Sequence, residues 1–309
     1  KRKFFMGTII IRAVGLFLII VLAYFLKRIG FLHKADGSSL SIIIMNVTLP
    51  AVVIINLANL AIESNLLLFV LIGFFWSILQ IFISYFVTKR KSNTDQQFFI
   101  YCATGFNIGN FTLPFVQGFL PSGVPLISMF DTGNSIMLSG GTKVLSDRLT
   151  GQNTGVTFKS VLRQLFSFIP FTCYVVMLVL RLISFDLPTA FLTVLEPVAD
   201  ANVFLSMFMI GLYLELRLPR QDRHIVFQLL TLRYVMGLVF VGLFYLLPIE
   251  PLAKMILCLL CVTPVPLFGV VNSVIAGVKE ESVGVASSIS FLISLPLMTL
   301  LLLLLGPTV

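Results

Sequence analysis

Amide side chains stand inside two long apolar stretches of this sequence. Asn107 and Asn110 lie in the segment "GFNIGNFTLPFVQG", and Asn272 lies in "CVTPVPLFGVVNSVIAG". An amide can donate two hydrogens to a carboxylate without placing a fixed charge among apolar groups. The three asparagines are therefore candidates for binding an anion. The alternative for each is a hydrogen bond between packed helices.

Acidic side chains also interrupt apolar segments, at Asp131, Glu196 and Asp200. A charge in such a place costs a few kcal/mol or more, so each acid is a hypothesis for function. An acid there can take up a proton or a cation. Asp131, in "MFDTGNSIM", is the first candidate for coupling or gating, and Asp200 is the second. The alternative is an internal partner such as Arg12 or Arg233.

The nucleophiles and metal-binding side chains do not have the spacing of an enzyme site. No HExxH motif, glycine-rich phosphate loop or Ser-His-Asp set is present, and His33 and His224 fall in polar segments. Cys258 and Cys261 form a CxxC without a second pair nearby, which favours small buried side chains over a metal site. We therefore expect no catalytic residue, no metal and no cofactor.

The composition indicates which elements position these residues. Of 309 residues, 58% are apolar and 11% are charged, whereas soluble domains carry about 25% charged residues. Lipid is therefore the main solvent, and lipid admits only helices or closed barrels. Long unbroken apolar runs favour an all-α polytopic membrane protein. The net charge of +8 comes from short basic clusters between these runs, so we expect a lipid bilayer and no nucleic acid as partner.

Ten apolar runs approach the length of about 20 residues that a membrane helix needs. They cover residues 8–26, 39–60, 66–88, 98–120, 123–142, 160–184, 189–214, 226–248, 252–277 and 282–306. Basic residues accumulate on the cytoplasmic side of membrane proteins. Alternate loops of this chain hold 15 and 6 basic residues. The difference predicts a multi-pass protein of the plasma membrane with both termini outside the cytoplasm.

The ten predicted spans divide into two halves of five. The first half covers residues 8–142, a cytoplasmic connector covers 143–158, and the second half covers 159–309. Because five is odd, the second half enters the membrane inverted relative to the first. The sequence therefore predicts an inverted repeat.

Both fourth spans of these halves contain helix-breaking residues. Pro114 lies in the first half, and Pro264 and Pro266 lie in the second. Proline removes a backbone donor, and glycine and asparagine weaken a helix further. A broken helix must face protein or a water-filled cavity, and paired broken helices mark the binding site of many transporters. The alternative is that each proline only kinks a packed helix.

Several segments resemble the auxin efflux carrier family, which includes the plant PIN proteins and bacterial carriers called malate permeases. The similar segments are "AYFLKRIGFLHKADGSSLSIIIMNVTLPAVVI", "NIGNFTLP", "DANVFLSMFMIGLYLEL" and "TPVPLFGVVNSVIAGVKEESVGVASSISFLISLPLM". Asn107 stands seven residues before Pro114, as in the family's fourth helix. Asp200, Gly211 and Arg233 fall on matching positions of the seventh and eighth helices. The resemblance covers nearly the whole chain.

The resemblance implies ten helices in a five-plus-five inverted repeat. Helices 1, 2, 6 and 7 would form a scaffold, and the others would form a moving bundle. Helices 4 and 9 would cross at their prolines and bind a carboxylate there, with Pro264 or Pro266 as the crossing proline. The short connector "SDRLTGQNTGVTFKS" departs from the long loop of plant members and favours a minimal prokaryotic carrier.

The sequence thus predicts a secondary transporter that moves a small organic anion by alternating access. One alternative is a sodium-coupled symporter of the bile-acid type, which shares the crossed-helix architecture. Another is a membrane receptor that keeps the fold but moves no substrate. Coupling to a proton or to sodium, and assembly as a homodimer, stay open at this stage.

Overall fold

The computed structural model describes residues 2–58, 64–152, 155–217 and 220–306, and these are almost entirely helical. Within them there are fifteen α-helices and no β-strand. This confirms the all-α prediction.

Eight helices form the first part of the chain. They are α1 (Arg2–Arg28), α2 (Lys34–Ile43), α3 (Leu49–Ala58), α4 (Ser64–Thr88), α5 (Asn93–Ala103), α6 (Leu113–Phe119), α7 (Val124–Ile136) and α8 (Thr142–Leu149). Three π-helical segments interrupt or precede them, at Ile44–Thr48, Ile108–Thr112 and Met137–Gly141, and Pro121–Gly123 is a 3₁₀ turn.

Seven helices form the second part. They are α9 (Phe158–Ser167), α10 (Ile169–Leu182), α11 (Thr189–Tyr213), α12 (Arg223–Leu246), α13 (Pro251–Cys261), α14 (Leu267–Ile275) and α15 (Glu280–Leu305). A 3₁₀ turn, Arg220–Asp222, precedes α12.

Six helical segments of the described chain are long and apolar enough to cross a bilayer. They are Gly7–Arg28, Lys34–Ala58, Leu66–Thr88, Thr189–Tyr213, Arg223–Leu246 and Glu280–Leu305. The pair α9 and α10 is a seventh candidate, bent by 82°. The protein is therefore a multi-pass membrane protein. The ten predicted spans exceed the number of continuous spans, because the other predicted spans are interrupted.

The span predicted over residues 160–184 is bent at Phe168, whose backbone is extended. Pro170 has no N–H to donate to the carbonyl of Phe166, so a straight helix would leave that carbonyl unpaired. The hydroxyl of Thr172 donates to it instead, at 2.8 Å. Pro170 is accommodated in the first turn of α10, where a helix needs no N–H donor, so the break falls just before that turn, at Phe168, and separates α9 from α10.

Two groups of helices pack closely within themselves. In the first group, α1, α2 and α3 pack along α11, and α10 packs along α3. In the second group, α4 packs along α7, and α12 contacts α5, α13 and α15. The two groups also contact each other, α1 with α15 and α10 with α7, and the scaffold and moving bundle that the resemblance implied stay a prediction.

The single tryptophan joins the helices of the second group. Trp76 of α4 is buried, and its ring lies between 4.7 and 5.9 Å from the rings of Phe106, Phe130, Phe240 and Phe244. These rings come from α7, α12 and the segment after α5. The cluster fixes the position of that segment, where the candidate site begins.

Candidate binding site at two interrupted helices

The first interruption follows α5, at residues 104–107. Gly105 has φ +69°, a left-handed conformation that glycine adopts readily. Gln80 accepts a hydrogen bond from the Gly105 N–H at 2.9 Å, and Asn134 donates to the Phe106 carbonyl at 3.3 Å. The carbonyl of Asn107 accepts from the Thr112 hydroxyl at 2.9 Å. Side chains of neighbouring helices thus replace the hydrogen bonds that the broken helix loses.

Pro114 lies beyond this interruption, in the first turn of α6. The preceding π-helical segment, Ile108–Thr112, changes the backbone pairing before the proline. Thr112 and Leu113 are both helical, so the helix continues from Ile108 into α6, and the shifted pairing accommodates the proline without a break. The chain therefore breaks at Gly105 and Asn107, whereas the sequence placed the crossing at Pro114.

The second interruption covers residues 262–266, between α13 and α14. Pro266 immediately precedes α14. The N–H of Val265 donates to the hydroxyl of Ser290 at 3.0 Å, and the carbonyl of Val265 accepts from the side-chain amide of Asn107 at 2.9 Å. The Asn107 side chain therefore joins the two interruptions directly.

Close backbone packing brings α14 against α5. Gly269 of α14 faces the carbonyl of Tyr101, and a Cβ at this position would collide with that oxygen. Only glycine permits this approach. The contact holds the second half of one interrupted helix against the first half of the other.

Arg233 of α12 lies between the two interruptions and is 5% exposed. Its guanidinium donates to the carbonyls of Cys102 at 3.0 Å and Gly105 at 3.0 Å on one side. On the other side it donates to Thr263 at 2.9 Å and Pro264 at 2.8 Å. One side chain therefore satisfies freed carbonyls from both interrupted helices.

No acid forms an ion pair with Arg233 among the described residues. The negative ends of α5 and α13 face the guanidinium instead, because the last carbonyls of a helix carry its negative partial charge. Fixed dipoles compensate the buried cation without neutralising it. Arg233 therefore contributes a positive field to the region around the interruptions.

Two spaces that share lining residues adjoin the interruptions. A small cavity of about 30 Å³ is lined by Asn107, Asn110, Asp131, Pro266 and the first residues of α14. A cleft of about 400 Å³ also reaches Asn107 and Asn110 and extends between α11, α14 and α15. The size of this cleft lies within the range of small-molecule sites, about 300–1,000 Å³.

The two asparagines of the first interruption differ in their bonding. Asn107 is hydrogen-bonded to Val265, as described, whereas the side-chain oxygen of Asn110 is buried and lacks a hydrogen bond among the described residues. An unpaired buried polar atom is costly. The side-chain oxygen of Asn134 is unpaired as well. Such an oxygen accepts from water or from a guest's O–H or N–H, whereas a carboxylate would pair with the N–H₂ group of Asn110.

The remaining residues predicted at the site are placed unequally. Pro266 lines the small cavity, while the Pro264 carbonyl faces Arg233. Asn272 is half-buried in α14 and lines neither the cavity nor the cleft. The structure thus brings the two prolines to the interruption and leaves Asn272 outside its spaces.

Asp131 reaches the site and Asp200 does not. Asp131 is 4% exposed, lines the small cavity and accepts hydrogen bonds from Asn134 at 2.9 Å and the Tyr174 hydroxyl at 3.0 Å. Asp200 and Glu196 are exposed on α11. Neither acid is paired with Arg12 or Arg233, the partners that the sequence suggested.

Charged residues surround the outer rim of the cleft. Lys34 of α2 lies 2.6 Å from a carboxylate oxygen of Glu215, after α11, and 3.1 Å from one of Glu280, at the start of α15. Lys34 and Glu280 also line the cleft. This end of the cleft therefore lies on the side that the basic residues predict to be cytoplasmic.

At the opposite side, α6 is fastened to the first group of helices. Gln117 donates to the Ala199 carbonyl of α11 at 3.0 Å and accepts from Asn202 at 3.3 Å. Asn202 in turn accepts from Thr48 at 2.9 Å. Arg12 of α1 donates to the Gly118 carbonyl at 2.8 Å.

Sequence reasoning missed most of the groups that hold the interruptions. Gln80, Asn134 and Ser290 were not candidates, and Arg233 was noted only by its family position and as a partner for an acid. The available signal was their polar type inside apolar helices, where side chains commonly bond between helices. Their partners could not be read, because these are backbone groups freed elsewhere in the chain.

Comparison with known proteins agrees with a transport role. A family model described as "Membrane transport protein" matches residues 8–302. An "Uncharacterized transporter" from Methanothermobacter thermautotrophicus is 26% identical over 210 residues, which cover 66% of this chain and 67% of that protein.

Proposed function

The chain belongs to the membrane transport protein family, and from its paired helix interruptions we propose that it carries a small organic anion with a carboxylate group across the membrane. The family match confirms the resemblance to auxin efflux carriers. The transported class and the mechanism are our inference from the geometry.

The observation that carries the proposal is the joining of two interrupted helices beside a cleft that Asn107 and Asn110 line. Asn107 and Arg233 hold the interruptions together, and the first N–H groups of α14, which lack helical acceptors, lie beside the small cavity. A helix start favours negative charge. The buried positive charge of Arg233 also favours a negatively charged ligand, and the amide of Asn110 can form a hydrogen bond with it.

The positive charge of Arg233 lies near the cleft but not in it, which suits a carrier, because a carrier must also release its substrate. The guanidinium is fully used by backbone carbonyls and does not line the cleft. A carboxylate would therefore feel its field without forming a direct ion pair. Such an arrangement binds an anion less tightly than a direct contact and lets it leave.

The access pattern supports alternating access. The cleft reaches the rim with Lys34 and Glu280, while Gln117 and Arg12 hold α6 against the other helix group on the opposite side. We infer that this is an inward-facing state, with the plasma membrane as its location and both termini outside. Movement of the second helix group relative to the first would close the cleft at Lys34 and open the site on the side of Gln117 and Arg12.

Coupling is assigned to Asp131 in this proposal. Its carboxylate lies at the small cavity beside Asn107 and Asn110, so its charge state acts directly on an anion bound there. A sodium-coupled symporter would use the same site with a different ion. Uptake measured with a sodium gradient and with a proton gradient separates the two.

The proposal is tested by uptake of labelled carboxylates into proteoliposomes. A panel of mono- and dicarboxylates should include at least one that accumulates, and Asn107→Ala should remove most of this uptake while the protein still folds. Asn56→Ala is the matched control, because Asn56 bonds only within its own helix, to Val52 at 2.8 Å. A receptor on the same fold would accumulate no carboxylate. Full uptake by Asn107→Ala would remove this site from the mechanism.

A further inference from the structure

The helix α9 runs across the direction of its neighbours. It makes an angle of 82° with α10, and α10 packs along α3 and α7. If these helices cross the bilayer, α9 lies in the plane of its surface. The basic residues of the adjoining loops predict the cytoplasmic surface.

The bend and the start of α9 are held by hydrogen bonds. The hydroxyl of Thr157 accepts from the Ser160 N–H at 3.2 Å, and the Ser160 hydroxyl accepts from the Thr157 N–H at 3.0 Å. This reciprocal capping fixes the first turn. Thr172 pairs with the Phe166 carbonyl at the other end. The orientation of α9 is therefore a defined feature of the fold.

The apolar residues of α9 divide into a covered and an uncovered set. Leu165 is 5% exposed, and Val161 packs against Gly140 in the π-helical segment before α8. Phe158, Leu162 and Phe166, spaced four residues apart, are 79%, 38% and 54% exposed. With 3.6 residues per turn these three form one stripe along the helix. The protein covers one side of the apolar face and leaves the stripe free.

Two basic residues adjoin this stripe. Lys159 and Arg163 each follow a stripe residue, so they lie at its edge, and both are exposed. Neither forms an ion pair with an acid in the described part of the chain. Ser160, Gln164 and Ser167 occupy the rest of the polar face. Helices with an apolar stripe bordered by basic residues lie in the interface between lipid tails and headgroups.

We propose that α9 is an interfacial helix that binds anionic lipid headgroups through Lys159 and Arg163, with Phe158, Leu162 and Phe166 inserted among the upper acyl carbons. The exposed apolar stripe favours contact with a lipid bilayer, and the adjacent cations, which form no ion pair in the described chain, favour anionic lipids in that bilayer. Basic residues near an anionic leaflet each strengthen its binding severalfold. The cytoplasmic leaflet carries such lipids.

The same helix contacts the candidate site. Phe168 follows α9, and its ring lies 5.9 Å from that of Phe268 in the first turn of α14, at 88°. Both side chains line the small cavity. A lipid that fixes α9 would also fix this contact, so anionic lipid should alter the uptake rate. This second effect rests on the proposed carrier function, whereas lipid binding does not.

Insertion of the stripe is tested by tryptophan fluorescence in vesicles with bromine-labelled acyl chains. Leu162→Trp and Gln164→Trp, each in a Trp76→Phe background, place the reporter on opposite faces of α9. Bromine should quench the residue at 162 strongly and that at 164 weakly. Equal quenching at both positions would overturn the insertion. If Trp76→Phe does not fold, the same pair is measured with Trp76 retained and its signal subtracted.

Headgroup selectivity is tested by the thermal unfolding temperature of the detergent-purified protein with added phosphatidylglycerol or phosphatidylcholine. In the unmodified protein, phosphatidylglycerol should raise the unfolding temperature more than phosphatidylcholine does. The double variant Lys159→Gln, Arg163→Gln should bind phosphatidylglycerol about thirtyfold more weakly. The control Lys89→Gln, Arg90→Gln removes two exposed cations at the end of α4, away from α9, and should keep the contribution of Lys159 and Arg163. Equal stabilisation by both lipids, or loss of selectivity only in the control, would overturn the proposal.

Discussion

Replacing Arg233 by methionine should both destabilise the protein and abolish transport. The guanidinium donates to five backbone carbonyls, those of Cys102, Thr104, Gly105, Thr263 and Pro264. Methionine replaces the apolar stem of arginine but ends before the guanidinium and donates no hydrogen bond. The carbonyls of both interruptions would then be buried without partners.

The magnitude follows from two opposed effects. Each buried carbonyl left unpaired costs about 1–3 kcal/mol, which gives about 5 kcal/mol or more for five of them. Removal of a buried charge returns several kcal/mol of desolvation. We therefore expect a net loss of about 2–4 kcal/mol in the free energy of unfolding.

Arg233→Lys separates charge from geometry. A lysine ammonium keeps the positive charge but has three donors, and it lacks the planar fork that reaches both interruptions. We expect a smaller stability loss, about 1–2 kcal/mol, and a carrier whose uptake is still strongly reduced. The control Arg90→Met removes an exposed cation and should change stability by less than about 0.5 kcal/mol.

The assay is denaturant unfolding in detergent micelles, combined with uptake into proteoliposomes for the variants that fold. Wild-type stability and uptake in Arg233→Met would refute the reasoning, because the two interruptions would then hold without their shared cation. A stability loss equal to that of Arg90→Met would refute it as well.

Three further variants test single contacts. Asn110→Ala removes an oxygen that has no partner, so stability should change by less than about 1 kcal/mol, while the KM for the carboxylate rises; an unchanged KM with normal folding would contradict the assignment. Gln117→Ala breaks the hydrogen bond to the Ala199 carbonyl and should increase labelling of engineered cysteines on the outer side of α6. Unaltered labelling would show that this contact does not close that side. Asp131→Asn should leave downhill exchange of carboxylate intact but remove the response of uptake to a proton or sodium gradient. Asp200 is an exposed acid, so Asp200→Asn should keep that response. Identical gradient responses in both variants would exclude Asp131 as the coupling group.

The sequence predicted the helix interruptions well, because their cause is local. Glycine, asparagine and proline in an apolar run weaken a helix wherever it packs, and the chain breaks at 104–107 and 262–266. The predicted position of the break within each apolar run was less accurate. Pro114 is accommodated by a π-helical segment, whereas Gly105 makes the turn.

The sequence could not predict how the interruptions are held. Arg233, Gln80 and Asn134 bond to backbone groups more than 20 residues away in the chain, and such pairs depend on how the helices pack. Asp200, the second acid predicted to take part in coupling, lies exposed on α11, and its role stays a prediction. The bend before α10 had a local signal in Pro170 that the span assignment did not use.

The central claim is that a carboxylate binds where the cleft meets the two interruptions. Its most direct test is protection of a cysteine in the cleft from a water-soluble thiol reagent. Ser287→Cys lines the cleft, and Gln164→Cys is exposed elsewhere. With a carboxylate that accumulates in the uptake assay, labelling of Ser287→Cys should slow, that of Gln164→Cys should stay constant, and Asn107→Ala should remove the protection. Equal labelling of Ser287→Cys with and without a carboxylate that the protein transports would contradict the account.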